Sequence, residues 1–287
     1  MRREADRDPR SLERTFRERA APAGSPRYYA LLFAPADVRP GLAALYAFDA
    51  EVRAAVHPHS EHSAAHLKLA WWAQEVERIV RGAPLHPIGR ALSAAAQPLG
   101  LDLTCLSDYL VAAQHDLAGL PIADDEELAA YCHRSGGLLQ QLGALLAQPS
   151  ADRRGEVRRF GGALGRGLRL AEIVRTHRTD LGAGRVRFAQ SALRQHDVSP
   201  AELLAASPPA KAIALLDDIA AQAEALLSQA AAQSLADRSR QRAGLVLAGL
   251  ALGALRGMRE SRFASRSLLD PPDFLQLWRA WRTARNP

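Results

Sequence analysis

Apolar residues return along this chain at intervals of three and four for almost its whole length, the spacing of one face of an α-helix. Leu42, Leu45, Tyr46, Phe48, Val52 and Val56 form the first clear stripe, behind a proline at position 40 that suits a first helical turn. A second helix is predicted from about Glu61 to Arg81, with Leu67, Trp71, Val76 and Ile79 apolar and with Gly82 and Pro84 ending it. Asp124 and Glu127 form a capping box ahead of Leu128, Tyr131, Leu138, Leu142 and Leu145. Val157, Phe160, Leu164, Leu168, Ile173 and Val174 make another stripe, and alanine-rich patterns run from Pro209 to Gln233 and from Ser234 to Met258. Asp270-Pro271-Pro272-Asp273 caps a last helix carrying Phe274, Leu277, Trp278 and Trp281. No strand pattern, repeat period or linker interrupts this sequence. The predicted architecture is a single compact all-α domain of about ten helices over residues 25–287, after a charged segment over residues 1–24.

Composition narrows the picture. At 287 residues the chain is long for one domain, but 48% hydrophobic content supplies a large helical core. The formal charge is +6, and nearly all the cation is arginine, with lysine only at 68 and 211. That bias reads either as base composition or as an anionic partner such as a diphosphate or lipid headgroup. The arginines are scattered rather than clustered, which favours the first reading, and no nucleic-acid partner is expected. Cys105 and Cys132 provide neither a disulfide framework nor a Cys-x-x-Cys pair, so a reducing, cytoplasmic setting is the default. The first residues alternate acids and arginines without the apolar stretch of a secretory signal. The longest uncharged run, Ala243 to Leu255, is shorter than the ~20 residues that span a bilayer, so any membrane contact is expected to be peripheral.

An ordered set of short segments carries more. Tyr28-Tyr29-Ala30-Leu31-Leu32-Phe33-Ala34-Pro35 is followed by Arg39 and Ala44-Leu45-Tyr46-Ala47-Phe48, then by Leu69-Ala70-Trp71-Trp72 with Glu75. Tyr131-Cys132-His133-Arg134 precedes Gly136-Gly137, and Gly165 to Arg175 leads to Asp180, Gly184-Arg185-Val186 and Phe188. In this order, over about residues 25–200, these segments resemble the squalene/phytoene synthase family. The resemblance implies an all-α isoprenoid synthase fold with a central apolar cavity. It also implies two Asp-x-x-x-Asp motifs on facing helices that hold Mg²⁺ against substrate diphosphates. Spacing of four puts both carboxylates of such a motif on one helical face, and hard oxygen ligands suit Mg²⁺. The metal neutralises the leaving diphosphate, and the apolar cavity shelters the resulting carbocation.

This chain departs from the family at those motifs. Arg53 and His57 align with the first acidic pair, and Thr176 and Asp180 with the second. A guanidinium has no lone pair to give a metal, and a threonine hydroxyl is one weak neutral ligand. Glu172 and Arg175 flank the second motif. Asp49 and Glu51 are close to the first but lie two apart, on different helical faces, and do not restore the lost pair. Leu45-Tyr46-Ala47-Phe48-Asp49-Ala50-Glu51 and Pro84-Leu85-His86-Pro87 resemble the branch of the family that serves as assembly factors of respiratory complex I.

Several side chains keep two readings. Arg53 either binds a phosphate or headgroup directly, or pairs with Glu51, Asp180 or Glu172 across the altered site. His57, His59, His62 and His66 either hold a metal or form a solvated loop and helix start. Tyr46, Tyr131 and Phe48 either line a prenyl channel or belong to the core, where their ordinary helical spacing puts them. Trp278 and Trp281 suit core or dimer packing, although a basic helix bearing tryptophan also fits a membrane surface. No nucleophile elbow and no glycine-rich phosphate loop is present.

The leading expectation is a divergent member that has lost Mg²⁺-dependent condensation and needs no cofactor. It would bind a prenyl diphosphate or other isoprenoid or lipid, or serve as an assembly factor on a membrane complex. Its expected anion- or substrate-binding residues are Arg53, Arg175, Glu172, Thr176, Tyr131 and Tyr46. The alternative is an active prenyltransferase with a non-standard site, in which Asp180 is catalytic and, with Glu172 and Arg175, holds the diphosphate with fewer Mg²⁺ ions. A third reading is a metal enzyme built on Asp180, His57, His62 and His66.

Overall fold

The computed structural model describes residues 9–57, 60–263 and 273–285. His59, the Asp270-Pro271-Pro272 cap and the first eight residues of the charged segment lie outside them. The described residues form fourteen α-helices and no strand; an isolated parallel bridge joins Ile122 to Ala189. The helices are α1 (Pro9–Ala20), α2 (Pro26–Phe33), α3 (Arg39–Ala55), α4 (His62–Val80), α5 (Pro87–Ala96), α6 (Cys105–Ala118), α7 (Asp125–Cys132) and α8 (Leu138–Leu146). They continue as α9 (Arg154–Gly182), α10 (Gln190–Gln195), α11 (Pro200–Leu204), α12 (Ala210–Ala232), α13 (Arg242–Glu260) and α14 (Asp273–Arg285). The all-α expectation holds, with more and shorter helices than ten.

Helix α9, 29 residues long, is the axis of the fold and packs against α8, α12 and α13. Its small residues set how closely neighbours approach. Gly165 abuts the backbone of Gly136, and a Cβ on either would collide with the other's carbonyl. The continuous helix expected after Asp124 is broken at this contact: His133–Gly137 form a π-turn between α7 and α8, which brings the two glycines against α9. Asp124 caps α7 by accepting from the Glu127 N–H, while the Glu127 carboxylate reaches one residue beyond the capping box, to the Ala123 N–H at 2.6 Å. Helix α13 begins at Arg242 rather than Ser234, because residues 237–241 form turns. In α1, Phe16 and Ala20 are buried in the core and α1 packs on α3, so this part of the charged segment belongs to the domain.

The α4–α5 connection shows how one buried acid organises a loop. Glu75 is fully buried and accepts from the Leu85 and His86 N–H groups at 2.8 and 2.7 Å and from Arg78 at 2.8 Å. His86 then caps α5 and packs edge-on against Trp71 and Trp72. The Pro84-Leu85-His86-Pro87 segment is therefore held by structure from both sides.

Candidate functional site

Helices α3 and α9 face each other across a lattice of alternating charges. On α3, Asp49 and Arg53 are four residues apart and share a face, and the Arg53 Nε donates to Asp49 Oδ1 at 2.9 Å. Arg27 of α2 and the Tyr109 hydroxyl of α6 also donate to Asp49, which is fully buried. The other end of the Arg53 guanidinium crosses to α9 and donates to Glu172 Oε1 at 2.7 Å. Glu172 Oε2 accepts from Arg169, one helical turn earlier, at 2.8 Å. Arg169 reaches Asp116 in the last turn of α6 at 3.3 Å and also donates to the Tyr131 hydroxyl. Tyr131 in turn donates to Asp116 at 2.8 Å. Arg187 completes the series, 3.3 Å from Asp116 and 2.8 Å from Asp180. Thr176 donates to the same Asp180 oxygen at 2.7 Å.

Four guanidinium groups, Arg27, Arg53, Arg169 and Arg187, thus meet four carboxylates, Asp49, Glu172, Asp116 and Asp180. The pairing decides the ionisation. Burial alone would raise the Asp49 pKa, but Arg27 and Arg53 outweigh it and hold the group at about 2. Burial is likewise outweighed at Glu172, where Arg53 and Arg169 keep the carboxyl well below its usual range. Burial pushes the Tyr131 and Tyr46 phenols up to about 12, so both stay neutral donors.

The lattice stands between two cavities. The larger, about 710 Å³, has an apolar lining that includes Leu139, Leu168, Val174, Leu247, Ala251 and Met258. Arg53, Arg169 and Glu172 lie on its polar wall, with Arg175 and Arg178 beside them. The smaller, about 190 Å³, is lined by Arg53, Arg169 and Glu172 from the other side, together with His57, Tyr109, Asp116, Arg185 and Arg187. Arg178 is held by the carbonyls of Leu204 and Ala205 at 2.8 Å. Arg175 is exposed and makes no hydrogen bond or ion pair with the described residues. Arg185 is half-buried; its backbone N–H donates to the Asp180 carbonyl at 2.8 Å, but its guanidinium makes no hydrogen bond or ion pair with the described residues, and burial followed by the nearby Arg187 lowers its pKa against the pull of Asp116 and Asp180. Arg175 thus borders the large cavity and Arg185 the small one without an ion pair to the described residues, and Arg178 and Arg279 line the large cavity likewise without one.

The predicted residues fall into separate roles. Arg53 and Glu172 line both cavities and bond each other, with Asp49 as the second partner of Arg53. Glu51 instead faces the surface and pairs with Lys68 at 3.0 Å. Arg175 lines the large cavity, whereas Thr176 and Asp180 line neither and are tied to Arg187 and each other. Tyr46 and Tyr131 line neither of these two cavities. Both are buried beneath the site, where Arg27 lies 5.0 Å over the Tyr46 ring and Arg169 lies 5.1 Å over the Tyr131 ring. Phe48 is core, edge-on to Trp72. Among the described residues, which leave out His59, no group of three His, Cys, Asp or Glu side chains could hold a metal ion. His62 and His66 turn their Nε2 atoms on each other at 3.0 Å, and Glu61 caps α4 through the Ser63 and Ala64 N–H groups.

Sequence reasoning missed Arg27, Tyr109, Asp116, Arg169, Arg185 and Arg187 as parts of the site. Arg169 had a signal in its one-turn spacing from Glu172. Asp116 had none, because it sits in a region without a motif and is brought in by the packing of α6.

The fold and the facing helices define a helical isoprenoid-synthase class of protein, with the polar site at one wall of an apolar cavity. The squalene/phytoene synthase profile matches residues 20–279, and the chain belongs to this family. Its structure is similar to a dehydrosqualene synthase solved in complex with ligand, at 17% identity and a TM-score of 0.82, covering 98% of this chain and 100% of that one. It is also similar to the squalene synthase HpnC from Alicyclobacillus acidocaldarius, at 19% identity and a TM-score of 0.76, covering 90% and 97%. A third likeness is to YisP from Bacillus subtilis subsp. subtilis strain 168, at 17% identity and a TM-score of 0.66, covering 94% and 96%. No curated protein sequence matches the chain.

The family implies Mg²⁺, and the donor set here does not fit it. Mg²⁺ requires accessible carboxylate oxygens in near-octahedral array. Every carboxylate of this site is bound by at least one guanidinium, and a guanidinium extends from position 53 itself.

Proposed function

We propose that this protein binds an isoprenoid or other lipid with an anionic headgroup, without Mg²⁺, and does not carry out head-to-head prenyl condensation. The observation that carries the reading is the complete pairing of the lattice carboxylates with arginine, which leaves Arg175 and Arg185 as cations without a protein partner. An apolar tail fits the large cavity, whose volume of about 710 Å³ lies within the ~300–1,000 Å³ of small-molecule sites. Arg175 at the polar wall supplies the planar, bidentate donors that suit phosphate. Arg53, Glu172 and Arg169 hold that wall in place and exclude a metal. The protein is accordingly read as a carrier or sensor of such a lipid. An assembly role on a respiratory complex is compatible with this chemistry but gains no separate support.

Asp180 and the family relationship favour the alternative of an active prenyltransferase. Incubation with farnesyl or geranylgeranyl diphosphate and Mg²⁺ separates the two. The binding reading expects no pyrophosphate release above the rate without protein. Release that disappears in Asp180→Ala would establish the enzyme instead.

A further inference from the structure

Over residues 276–285, helix α14 turns its alanines inward and Leu277, Trp278 and Trp281 outward. Ala280 and Ala284 are buried against Tyr29, Val246 and Leu250. Gly249 and Gly253 of α13 leave room for Thr283 and Arg279, so the two helices approach closely. On the flank and far side of this contact, Leu277, Trp278 and Trp281 are 43%, 44% and 45% exposed. A helix that only needed a core would place these residues the other way round. Arg282 lies 4.7 Å over the Trp278 ring and Arg285 lies 5.1 Å over the Trp281 ring. Residues 276–285 include Arg279, Arg282 and Arg285 and no acid. Helix α2, which packs on α14, adds exposed Tyr28 and Leu32.

We infer that this stripe docks the protein on an anionic lipid bilayer. Tryptophan and tyrosine settle at the headgroup level, where one part of the ring is apolar and the other wet, and arginine is drawn to the negative leaflet. A second copy is the poorer partner. A two-fold contact through this stripe would set its row of arginines against an identical row. The position of α14 adds a consequence: Gln276 and Arg279 of the same helix line the large cavity. Once docked, α14 is the wall between that cavity and the bilayer, which places an apolar ligand site against a source of apolar ligand. The docking does not depend on which ligand the cavity takes.

Sedimentation with vesicles tests this. Binding is expected to phosphatidylcholine vesicles containing phosphatidylglycerol, falling with added salt. It should weaken on the order of tenfold or more in Arg282→Glu/Arg285→Glu and similarly in Trp278→Ser/Trp281→Ser. Absence of binding to the anionic vesicles overturns the proposal, as does binding that these variants leave unchanged. A dimer by light scattering that the same variants dissolve also overturns it, in favour of self-association. If a serine variant fails to fold, brominated phosphatidylglycerol provides a second reading. It should quench the wild-type tryptophan emission, and Trp278→Phe/Trp281→Phe should abolish that quenching while Trp71 and Trp72 remain. A protein that binds farnesyl diphosphate yet ignores both vesicle types contradicts the docking and leaves the cavity reading intact.

Discussion

The two ends of the charge lattice differ in how completely they are satisfied. At the α3 end, Asp49 is fully buried and takes Arg27, Arg53 and Tyr109 as partners, with no cation left over. At the α9 end, Asp180 shares Arg187 with Asp116, while the guanidinium groups of Arg185 and Arg175 nearby have no hydrogen-bond or ion-pair partner among the described residues. A buried ionic cluster with every group paired adds little beyond holding its elements in register, but it is costly to break. Cations kept half-buried or at a cavity wall without an acid are instead available to an incoming anion. On this contrast the first end is structural and the second is the end we propose for binding.

Removing the carboxylate of Asp49 should have the largest effect. Asp49→Ala strands Arg27 and the buried Tyr109 phenol and leaves Arg53 with Glu172 alone, and a loss of about 3–5 kcal/mol is expected in urea unfolding. A loss below about 1 kcal/mol would mean that this end is not the structural knot described.

Asp180→Asn should cost less, about 1–2 kcal/mol, because Arg187 keeps Asp116 and an amide still accepts from Thr176. Equal losses in the two variants would erase the contrast.

Acid should act through the same groups. The folded-state pKa values of Asp49, about 2, and of Glu172 are depressed. Below the unfolded carboxylate values near pH 4 the unfolded chain binds more protons, so stability falls as pH drops toward 2. The melting temperature should fall gently from pH 7 to 5, where the unfolded chain protonates His133 and His177 more readily than the folded one because burial lowers their pKa, and fall steeply below pH 4. That acid limb should be shallower in Asp49→Ala.

Arg175→Ala and Arg185→Ala should leave stability within about 0.5 kcal/mol, since neither side chain holds another residue. A large destabilisation of either would show that it is structural after all.

The fold was readable because every long helix keeps its apolar stripe, and the ordered segments from Tyr28 to Phe188 point to the family that the profile confirms. The π-turn at His133–Gly137 was not readable, because its cause is the contact of Gly136 with Gly165, distant in sequence. The site was half readable. Arg53 and Glu172 stood out because they depart from a known pattern, and their pairing was one of the two readings open for Arg53. Asp49 was set aside as a poor replacement for a metal ligand, and its actual partners are arginines contributed by α2 and by its own helix. Asp116 and Arg187 could not be foreseen, because a single acid or arginine outside a motif carries no sign of the helix it will meet. Tyr46 and Tyr131 show the converse: family position suggested the channel, while ordinary helical spacing pointed to their buried place beneath the arginines.

Whether arginine has taken over the work of the metal is tested most directly by the affinity for farnesyl diphosphate, measured by calorimetry in EDTA and again in Mg²⁺. Binding is expected in EDTA, little changed by Mg²⁺ and weakened about tenfold or more by Arg175→Ala. Binding that appears only with Mg²⁺, and that Asp180→Ala removes while Arg175→Ala does not, would contradict that takeover.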